Sequence, residues 1–142
     1  MKRRTFQNDY SFGKEQEDKT VDTLSNYFKT ELKQNEDRYA KFDFENDTLA
    51  IEQKARTCSS KTYDTTMLQY SKIKNCHLPE YLNKDKWFVF SFTDGLYGIK
   101  YDEAAFEKYD CATFRLQDRL GYKEREEPRI FIPISDLLPI SI

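Results

Sequence analysis

At 142 residues the chain is long enough for one domain with a single hydrophobic core, and no repeat or linker marks a second, so we expect residues 1–142 to fold as one unit. Hydrophobic residues make up only 38%, although 11 Phe and 10 Tyr add large buried areas, and no apolar run resembles a transmembrane span or a secretory signal. The formal net charge of −2 argues against a strong nonspecific nucleic-acid binder, and the composition favours a soluble intracellular protein of cytoplasm or nucleus with no membrane partner.

The first predicted element is an amphipathic helix with an apolar stripe on one side. The stripe recurs at spacings of three, four and four residues, at Val21, Leu24, Phe28 and Leu32. Glu17 lies four residues before Val21 and extends the stripe toward the core. A carboxylate in that position is costly unless it is paired, hydrogen-bonded or bound to a metal. Alternatively, Glu17 is an exposed first-turn residue that the helix dipole favours.

A β-hairpin is predicted next, because the β-compatible segments 39–44 and 49–56 flank Asn46-Asp47, a pair that suits a two-residue turn. If these two residues form the loop, the register pairs four residues of each strand. The pairs are Glu45 with Thr48, Asp43 with Ala50, Lys41 with Glu52 and Tyr39 with Lys54.

This register brings two carboxylates and an ammonium group to one face of the hairpin, because side chains alternate across a strand. The groups are those of Asp43, Glu52 and Lys54. Neighbouring carboxylates repel, and a divalent cation removes the repulsion; oxygen ligands suit Mg²⁺ or Mn²⁺. The lysine can hold a phosphate oxygen, orient the attacking water or stabilise developing charge. Phosphodiester hydrolysis requires all of these.

The order Asp43…Glu52-Gln53-Lys54 resembles the core motif of the PD-(D/E)xK nuclease superfamily, which includes restriction endonucleases, archaeal Holliday-junction resolvases and many viral and phage nucleases. Segment 13–21 also resembles the opening of the resolvases, a glycine followed four residues later by a helix-borne glutamate. The chain departs from the pattern at Gln53, where relatives usually carry an apolar residue, and in lacking a proline before Asp43. The resemblance implies an α/β fold with a restriction-endonuclease-like core, a central mixed β-sheet flanked by helices.

The resemblance also implies roles for four residues. Asp43 and Glu52 take metal-ligand positions, Glu17 the N-terminal metal-associated position, and Lys54 the position of the catalytic lysine. The implied activity is Mg²⁺- or Mn²⁺-dependent hydrolysis of phosphodiester bonds, with DNA favoured over RNA. Structured or branched DNA is one candidate substrate, and placing two cuts in it would require a homodimer.

Basic residues are concentrated after the proposed acids. From residue 54 to 74 they number five against the single acid Asp64, and they are Lys54, Arg56, Lys61, Lys72 and Lys74. A basic surface beside the acids suits a nuclease groove. We therefore assign substrate binding to Arg56, Lys61 and Lys72, and we expect the more acidic stretch 102–127 to face away.

The remaining predicted elements follow in chain order. Asp64 is expected to cap a helix over 65–75, from which Lys72 either reaches the acids or stays in solvent. Tyr63, in the preceding loop, is a candidate for substrate contact. The next predicted elements are a strand over 87–92, a turn over 93–95, a strand over 96–101 and a short helix over 102–109. A last strand is predicted over 130–134, followed by a terminal turn at Ser135. We expect this last strand near a sheet edge, because Pro133 cannot donate a hydrogen bond to a neighbouring strand.

Other chemistries find little support in the sequence. Cys58, Cys76 and Cys111 are odd in number and lack CxxC spacing, so reduced thiols are favoured over a zinc site. His77 is the single histidine and has no GxSxG-like nucleophile turn. Two alternatives to an enzyme stay open. One is a catalytically inactive nuclease-fold interaction module in a larger nucleoprotein or viral assembly, which the near-neutral charge and Gln53 favour; the other is a plain structural protein.

Overall fold

The computed structural model describes residues 20–37, 39–117, 121 and 123–141. The strands in these ranges are β1 (Lys33–Gln34), β2 (Phe44–Glu45), β3 (Leu49–Ala55), β4 (Thr65–Gln69), β5 (Asp85–Phe92), β6 (Gly95–Lys100), β7 (Cys111–Gln117), β8 (Glu124–Pro133) and β9 (Leu138–Ser141). The helices are α1 (20–28), α2 (Tyr70–Asn75) and α3 (Glu103–Phe106), with 3-10 turns at Pro79–Tyr81 and Ile134–Asp136. In the described part of the chain, no helix has the length and apolar character needed to cross a membrane.

The strands form two sheets, and the fold is mixed α/β with mostly antiparallel pairing. The larger sheet has the order β1-β2-β3-β5-β6-β9, and the smaller has the order β4-β8-β7. Only β3 and β5 run parallel among these strands. A parallel pair needs a long crossover, and here β4, α2 and the first 3-10 turn supply it.

Helix α1 covers one face of the larger sheet, and its predicted apolar stripe is confirmed. Leu24 is fully buried and lies in one cluster with Ile51 and Val89, and Val21 and Phe28 pack against that cluster. The helix ends at residue 28, and Lys29 takes a left-handed φ of 55°. Leu32 follows the helix rather than belonging to it, yet its side chain is buried in the same cluster.

The opposite face of the larger sheet packs against the smaller sheet and α2. Phe88 and Phe90 of β5 are buried there with Leu68 of β4, Ile73 of α2 and Ile132 of β8. Because β3 alternates, its even-numbered residues from 50 to 54 project from this face, whereas Ile51 and Gln53 project toward α1. The face of β3 that carries the predicted acid and lysine is thus the face turned toward the smaller sheet.

The predicted hairpin forms with a different turn. Phe44 is opposite Ile51, and the Asn46 amide donates to the Leu49 carbonyl at 2.9 Å, so the two-residue loop is Asp47-Thr48. The prediction of an Asn46-Asp47 loop is wrong because the Asn46 side chain begins the turn instead. Its Oδ1 accepts from the Thr48 amide, and its Nδ2 donates to Thr30 Oγ1 and the Glu31 carbonyl.

The corrected register moves one strand by two residues relative to the other. The paired register ends at Phe44 and Ile51, and Asp43 lies in the bend just before it, where its charge still acts on Glu52. The first strand is also shorter than predicted. Of residues 39–44 only Phe44 lies in a strand, and 41–43 form a bend.

The helix predicted over 65–75 is half wrong. Residues 65–69 form β4, which pairs with β8, and the helix begins only at Tyr70. The segment opens with two β-branched threonines, and its burial alternates, with Thr66 and Leu68 buried and Met67 exposed. Asp64 does not cap a helix; its carbonyl accepts from the Ile134 amide at 2.9 Å.

The predicted β5–β6 hairpin is confirmed, with Thr93-Asp94 as its loop and Gly95 at a φ of 151°. The short helix is confirmed as α3, with the Asp102 side chain accepting from the Ala104 amide. The prediction of a last strand at a sheet edge is wrong, because β8 is the middle strand of the smaller sheet and β9 follows it. Pro133 is tolerated because it is the final residue of β8.

Candidate functional site

The candidate site is centred on a buried glutamate in the middle of β3. Glu52 is only 4% exposed, and its Oε1 lies 3.4 Å from Lys54 Nζ and 3.1 Å from Lys72 Nζ. Lys54 is the next residue on the same face of the strand, and Lys72 reaches the carboxylate from α2. A buried carboxylate requires compensating charge, and these two lysines supply it.

Asp43 approaches the same glutamate from the neighbouring strand segment. Its backbone amide donates to the Ile51 carbonyl at 2.9 Å, and its Oδ2 accepts from the Gln53 amide at 2.7 Å. These two bonds hold a half-buried carboxylate against β3, and its charge acts on Glu52. The structure therefore brings together Asp43, Glu52 and Lys54, and Lys72 joins them.

The Glu52 carboxyl has an unusual proton affinity. Burial, followed by the nearby charge of Asp43, raises its pKa from an ordinary 4.5 to about 7, although Lys54 and Lys72 oppose the shift. Near neutral pH the carboxylate is therefore available to a cation but easily protonated. Strongly shifted acids of this kind are frequent at functional sites.

The three residues predicted to bind substrate differ in their surroundings. Arg56 turns inward, where its Nε donates to Thr66 Oγ1 at 3.1 Å and its Nη2 donates to the Met67 carbonyl, so the guanidinium joins the two sheets. Lys61 is exposed in the loop before β4. Lys72 bonds Glu52 rather than projecting into solvent. Glu17 lies outside the described residues.

Asp43 and Glu52 are the described residues that offer oxygen ligands for a metal at this site. Among the residues that the structure describes, no group of three or more His, Cys, Asp or Glu side chains is placed to hold a metal ion. The predicted third ligand, Glu17, is outside that part of the chain. The two carboxylates thus form at most a partial oxygen-ligand set, of the chemical type that suits Mg²⁺ or Mn²⁺.

A groove of about 570 Å³ adjoins the cluster at Lys54, and its lining includes Arg56 and Tyr63, two of the residues that the sequence suggested for substrate contact. Tyr63, Met67, Arg129 and Phe131 contribute to its lining from the loop before β4 and from the smaller sheet. The contribution of the smaller sheet to this groove was not predicted, because residues 65–69 were interpreted as helical. Burial alternates along the strand, with Thr66 and Leu68 buried and Met67 exposed, but polar Thr66 and apolar Met67 reverse the usual pattern, so the sequence carries no apolar/polar alternation that would have signalled it.

Gln53 lies on the opposite face of β3 from Glu52 and is only 6% exposed. Its Oε1 accepts from Thr20 Oγ1 of α1 at 2.6 Å, but its buried Nε2 has no hydrogen-bond partner among the described residues. A buried donor without a partner costs about 1–3 kcal/mol. The Gln53 amide, which stands where an apolar residue is usual among the resembling nucleases, is therefore hydrogen-bonded through its oxygen.

We expect Gln53→Met to stabilise the fold, because methionine fills a similar volume without the unpaired donor. The expected gain is about 1 kcal/mol, since the bond to Thr20 is lost at the same time. Urea unfolding of wild type, Gln53→Met and Thr20→Val measures the cost of the unpaired donor and the contribution of the bond to Thr20. Thr20→Val alone should lower the free energy of unfolding. A Gln53→Met variant less stable than wild type would contradict the account.

The fold and the site together define a mixed α/β domain in which a buried glutamate lies between two lysines and beside an aspartate. No protein-family model, no curated protein and no solved structure gives a significant match to this chain.

Proposed function

We propose that this chain is a metal-dependent nuclease of the PD-(D/E)xK type that hydrolyses phosphodiester bonds of DNA. The observation that carries the proposal is the placement of Glu52, buried on the central strand with Lys54 Nζ at 3.4 Å and the charge of Asp43 close by. Charged residues with no role beyond solubility stay exposed on the solvent face of a strand, whereas Glu52 is buried. Two acids and a lysine close together supply the metal ligands and the charge stabilisation that phosphodiester hydrolysis requires.

The topology supports the finer fold assignment, a restriction-endonuclease-like core. A helix precedes three antiparallel strands, and a crossover then leads to β5, which lies parallel to β3 in the same sheet. Asp43 immediately precedes β2, and Glu52 and Lys54 lie on β3. This element order is compatible with a restriction-endonuclease-like core and supports the proposal, with Asp43 in the bend before β2 and Glu52 and Lys54 on β3.

The donor set fits a hard divalent cation. Asp43 and Glu52 would hold Mg²⁺ or Mn²⁺ through oxygen atoms. Burial raises the pKa of Glu52 and the charge of Asp43 adds to the shift, and a cation bound between the two carboxylates would relieve their repulsion. When bound, the metal would supply Lewis-acid stabilisation of the phosphate. Lys54, no longer needed to neutralise Glu52, would hold a phosphate oxygen and stabilise the charge that develops as water attacks phosphorus and the bond to the leaving oxygen breaks.

The experiment that tests the proposal is a cleavage assay with Mg²⁺ or Mn²⁺ on plasmid, single-stranded and branched DNA, comparing wild type with Asp43→Asn and Lys54→Met. Cleavage that depends on both residues would support the proposal. Cleavage that survives in both variants would assign any activity to another site. A preference for branched DNA would also require a homodimer, which the molecular mass in solution reports.

A second candidate is an interaction module that keeps the nuclease fold without catalysis. The observation in its favour is that Lys54 and Lys72 both already pair with Glu52, so the cluster is largely neutralised by the protein itself. Such a module would sit in a larger nucleoprotein or viral assembly and would have no need of a metal.

Thermal unfolding in Mn²⁺ separates the two candidates. For a site with Asp43 and Glu52 as ligands, Mn²⁺ at ten times its Kd should add about 1.4 kcal/mol to the stability and raise Tm by a few degrees. Asp43→Asn should abolish the increase. Asp85→Asn is the matched control, because Asp85 is an exposed acid whose partner is the surface residue Lys100, and it should respond as wild type does. An equal Tm with and without Mn²⁺ in wild type would favour the inactive module.

A further inference from the structure

The groove beside Lys54 is selectively basic in a chain of net charge −2. Among the residues that the structure describes, its lining includes Lys54, Arg56 and Arg129 and no aspartate or glutamate. Lys54 and Arg129 each have an acid partner just outside the groove, Glu52 and Glu127 respectively. The groove therefore presents cations inward and keeps their acidic partners away from its interior, an arrangement that favours an anionic ligand.

Arg56 is the cation without an acidic partner among the described residues. Its guanidinium donates to two neutral oxygens, Thr66 Oγ1 and the Met67 carbonyl, and it lies 5.3 Å from the centre of the Phe90 ring. Burial, with the nearby charge of Cys58 opposing and that of Arg129 reinforcing it, lowers its pKa. A partly desolvated cation of this kind gains from an anion that enters the groove.

Apolar side chains are exposed along the same groove. Tyr63 is 69% exposed and Met67 is 38% exposed, and half-buried Phe131 lies opposite Met67 across the β4–β8 pair. Grooves that combine cations with exposed aromatic rings bind single-stranded nucleic acid, because the cations follow the phosphates while bases stack on the rings. Hydroxyl groups of Ser59 and Thr65 add further polar contacts.

We propose that this groove binds an unpaired DNA strand next to the phosphate that is cleaved, so that the substrate is single-stranded DNA or duplex DNA with a single-stranded segment. This assignment rests on the nuclease function proposed above, since Lys54 belongs to both the groove and the acid–lysine cluster. A volume of about 570 Å³ is that of a small-molecule site and encloses a nucleotide rather than a duplex. The base would stack on Tyr63, and Arg56 and Lys54 would face its phosphate.

The test measures binding without cleavage, by fluorescence anisotropy of a labelled oligothymidine and of a duplex of equal length in EDTA. Wild type should bind the single strand more tightly. Tyr63→Ala should weaken that binding about fivefold or more, the usual effect of losing one stacking ring. The matched control is Tyr27→Ala, which removes a surface tyrosine from α1 on the other side of the larger sheet and should leave binding unchanged.

A second pair of variants tests the effect of charge in the groove separately from the effect of side-chain size. Met67→Glu places a carboxylate in the groove, whereas Met67→Gln makes a change of similar size without charge, and the position is exposed enough for both variants to fold. Met67→Glu should weaken single-strand binding several-fold relative to Met67→Gln. This comparison keeps the proposal testable even if Tyr63→Ala proves unstable.

The outcomes distinguish this inference from the nuclease proposal. Preferential single-strand binding that Tyr63→Ala or Met67→Glu weakens supports the groove, whether or not Mn²⁺ then permits cleavage. No measurable binding of the oligothymidine, equal or tighter binding of the duplex, or single-strand binding that both variants leave intact would overturn it. Metal-dependent duplex cleavage lost in Lys54→Met and unchanged in Tyr63→Ala would leave the nuclease standing without this groove.

Discussion

Lys54→Met is expected to lower Mg²⁺-dependent DNA cleavage by about 100- to 1000-fold, the usual effect of removing one group that stabilises transition-state charge. Methionine keeps the unbranched shape of the lysine stem, and the Lys54 side chain is 28% exposed, so the fold should tolerate the change. Lys100→Met is the matched control. Lys100 is an exposed lysine paired with Asp85, and its replacement should leave the cleavage rate unchanged.

A pH profile separates two ways in which Lys54 would act. The charge of Lys54 lowers the pKa of Glu52, so its loss alone makes that carboxylate harder to ionise and the ligand poorer at neutral pH. If this were its whole role, Lys54→Met would recover wild-type cleavage at pH 9. If Lys54 contacts the phosphate, the defect persists at every pH. Wild-type cleavage by Lys54→Met at neutral pH would contradict both.

Glu52→Gln is expected to stabilise the protein, and the gain should grow with pH. The folded-state pKa of Glu52 is about 7, against an ordinary 4.5. Below pH 4.5 the carboxyl is protonated in both the folded and unfolded states and carries no penalty. Between pH 4.5 and 7 the unfolded chain releases the proton first, so stability falls as pH rises. Above pH 7 the penalty is complete and amounts to roughly 3 kcal/mol at most.

Glutamine imitates the protonated carboxyl and therefore escapes this loss. Urea midpoints of wild type and Glu52→Gln should differ least near pH 4.5 and most near pH 8, with the variant more stable. Glu107→Gln is the control, because Glu107 is an exposed residue after α3 and its variant should follow the wild-type pH dependence. A variant less stable than wild type at pH 8 would mean that the ion pairs to Lys54 and Lys72 outweigh the cost of burial.

Together these predictions describe Glu52 as an acid that lowers the stability of the fold, so its presence calls for a functional explanation. An apolar or neutral residue at position 52, opposite Phe88 on the neighbouring strand, would avoid the cost of burying a carboxylate. Proteins often carry such locally unfavourable groups at functional sites. If Glu52→Gln proves more stable and at the same time fails to bind Mn²⁺, the two results would locate function at this carboxylate.

Elements governed by local periodicity were predictable. The stripe of α1 and the β5–β6 hairpin depend on spacing within short segments, and both were found where expected. Asp43 was also expected beside Glu52, and its charge does act on Glu52, although it does so from a bend held by the Gln53 amide and not from a paired strand.

Elements governed by distant partners were not predictable. The turn position depends on Asn46 bonds to Thr30 and Glu31, which lie beyond the end of α1. Strand β4 was interpreted as helix because its pairing partner β8 lies more than fifty residues away in the chain. The inward orientation of Arg56 likewise requires oxygen atoms that β4 supplies.

The amino-acid sequence alone determined which chemical groups β3 presents and on which side, because strand geometry dictates the alternation of Glu52, Gln53 and Lys54. Tertiary structure alone decided the environment of those groups. Packing of the smaller sheet buries Glu52 and raises its pKa, α2 delivers Lys72 to it, and the gap left beside β4 becomes a basic groove. Burial and long-range proximity come from chain segments far apart in sequence, whose meeting no local pattern encodes.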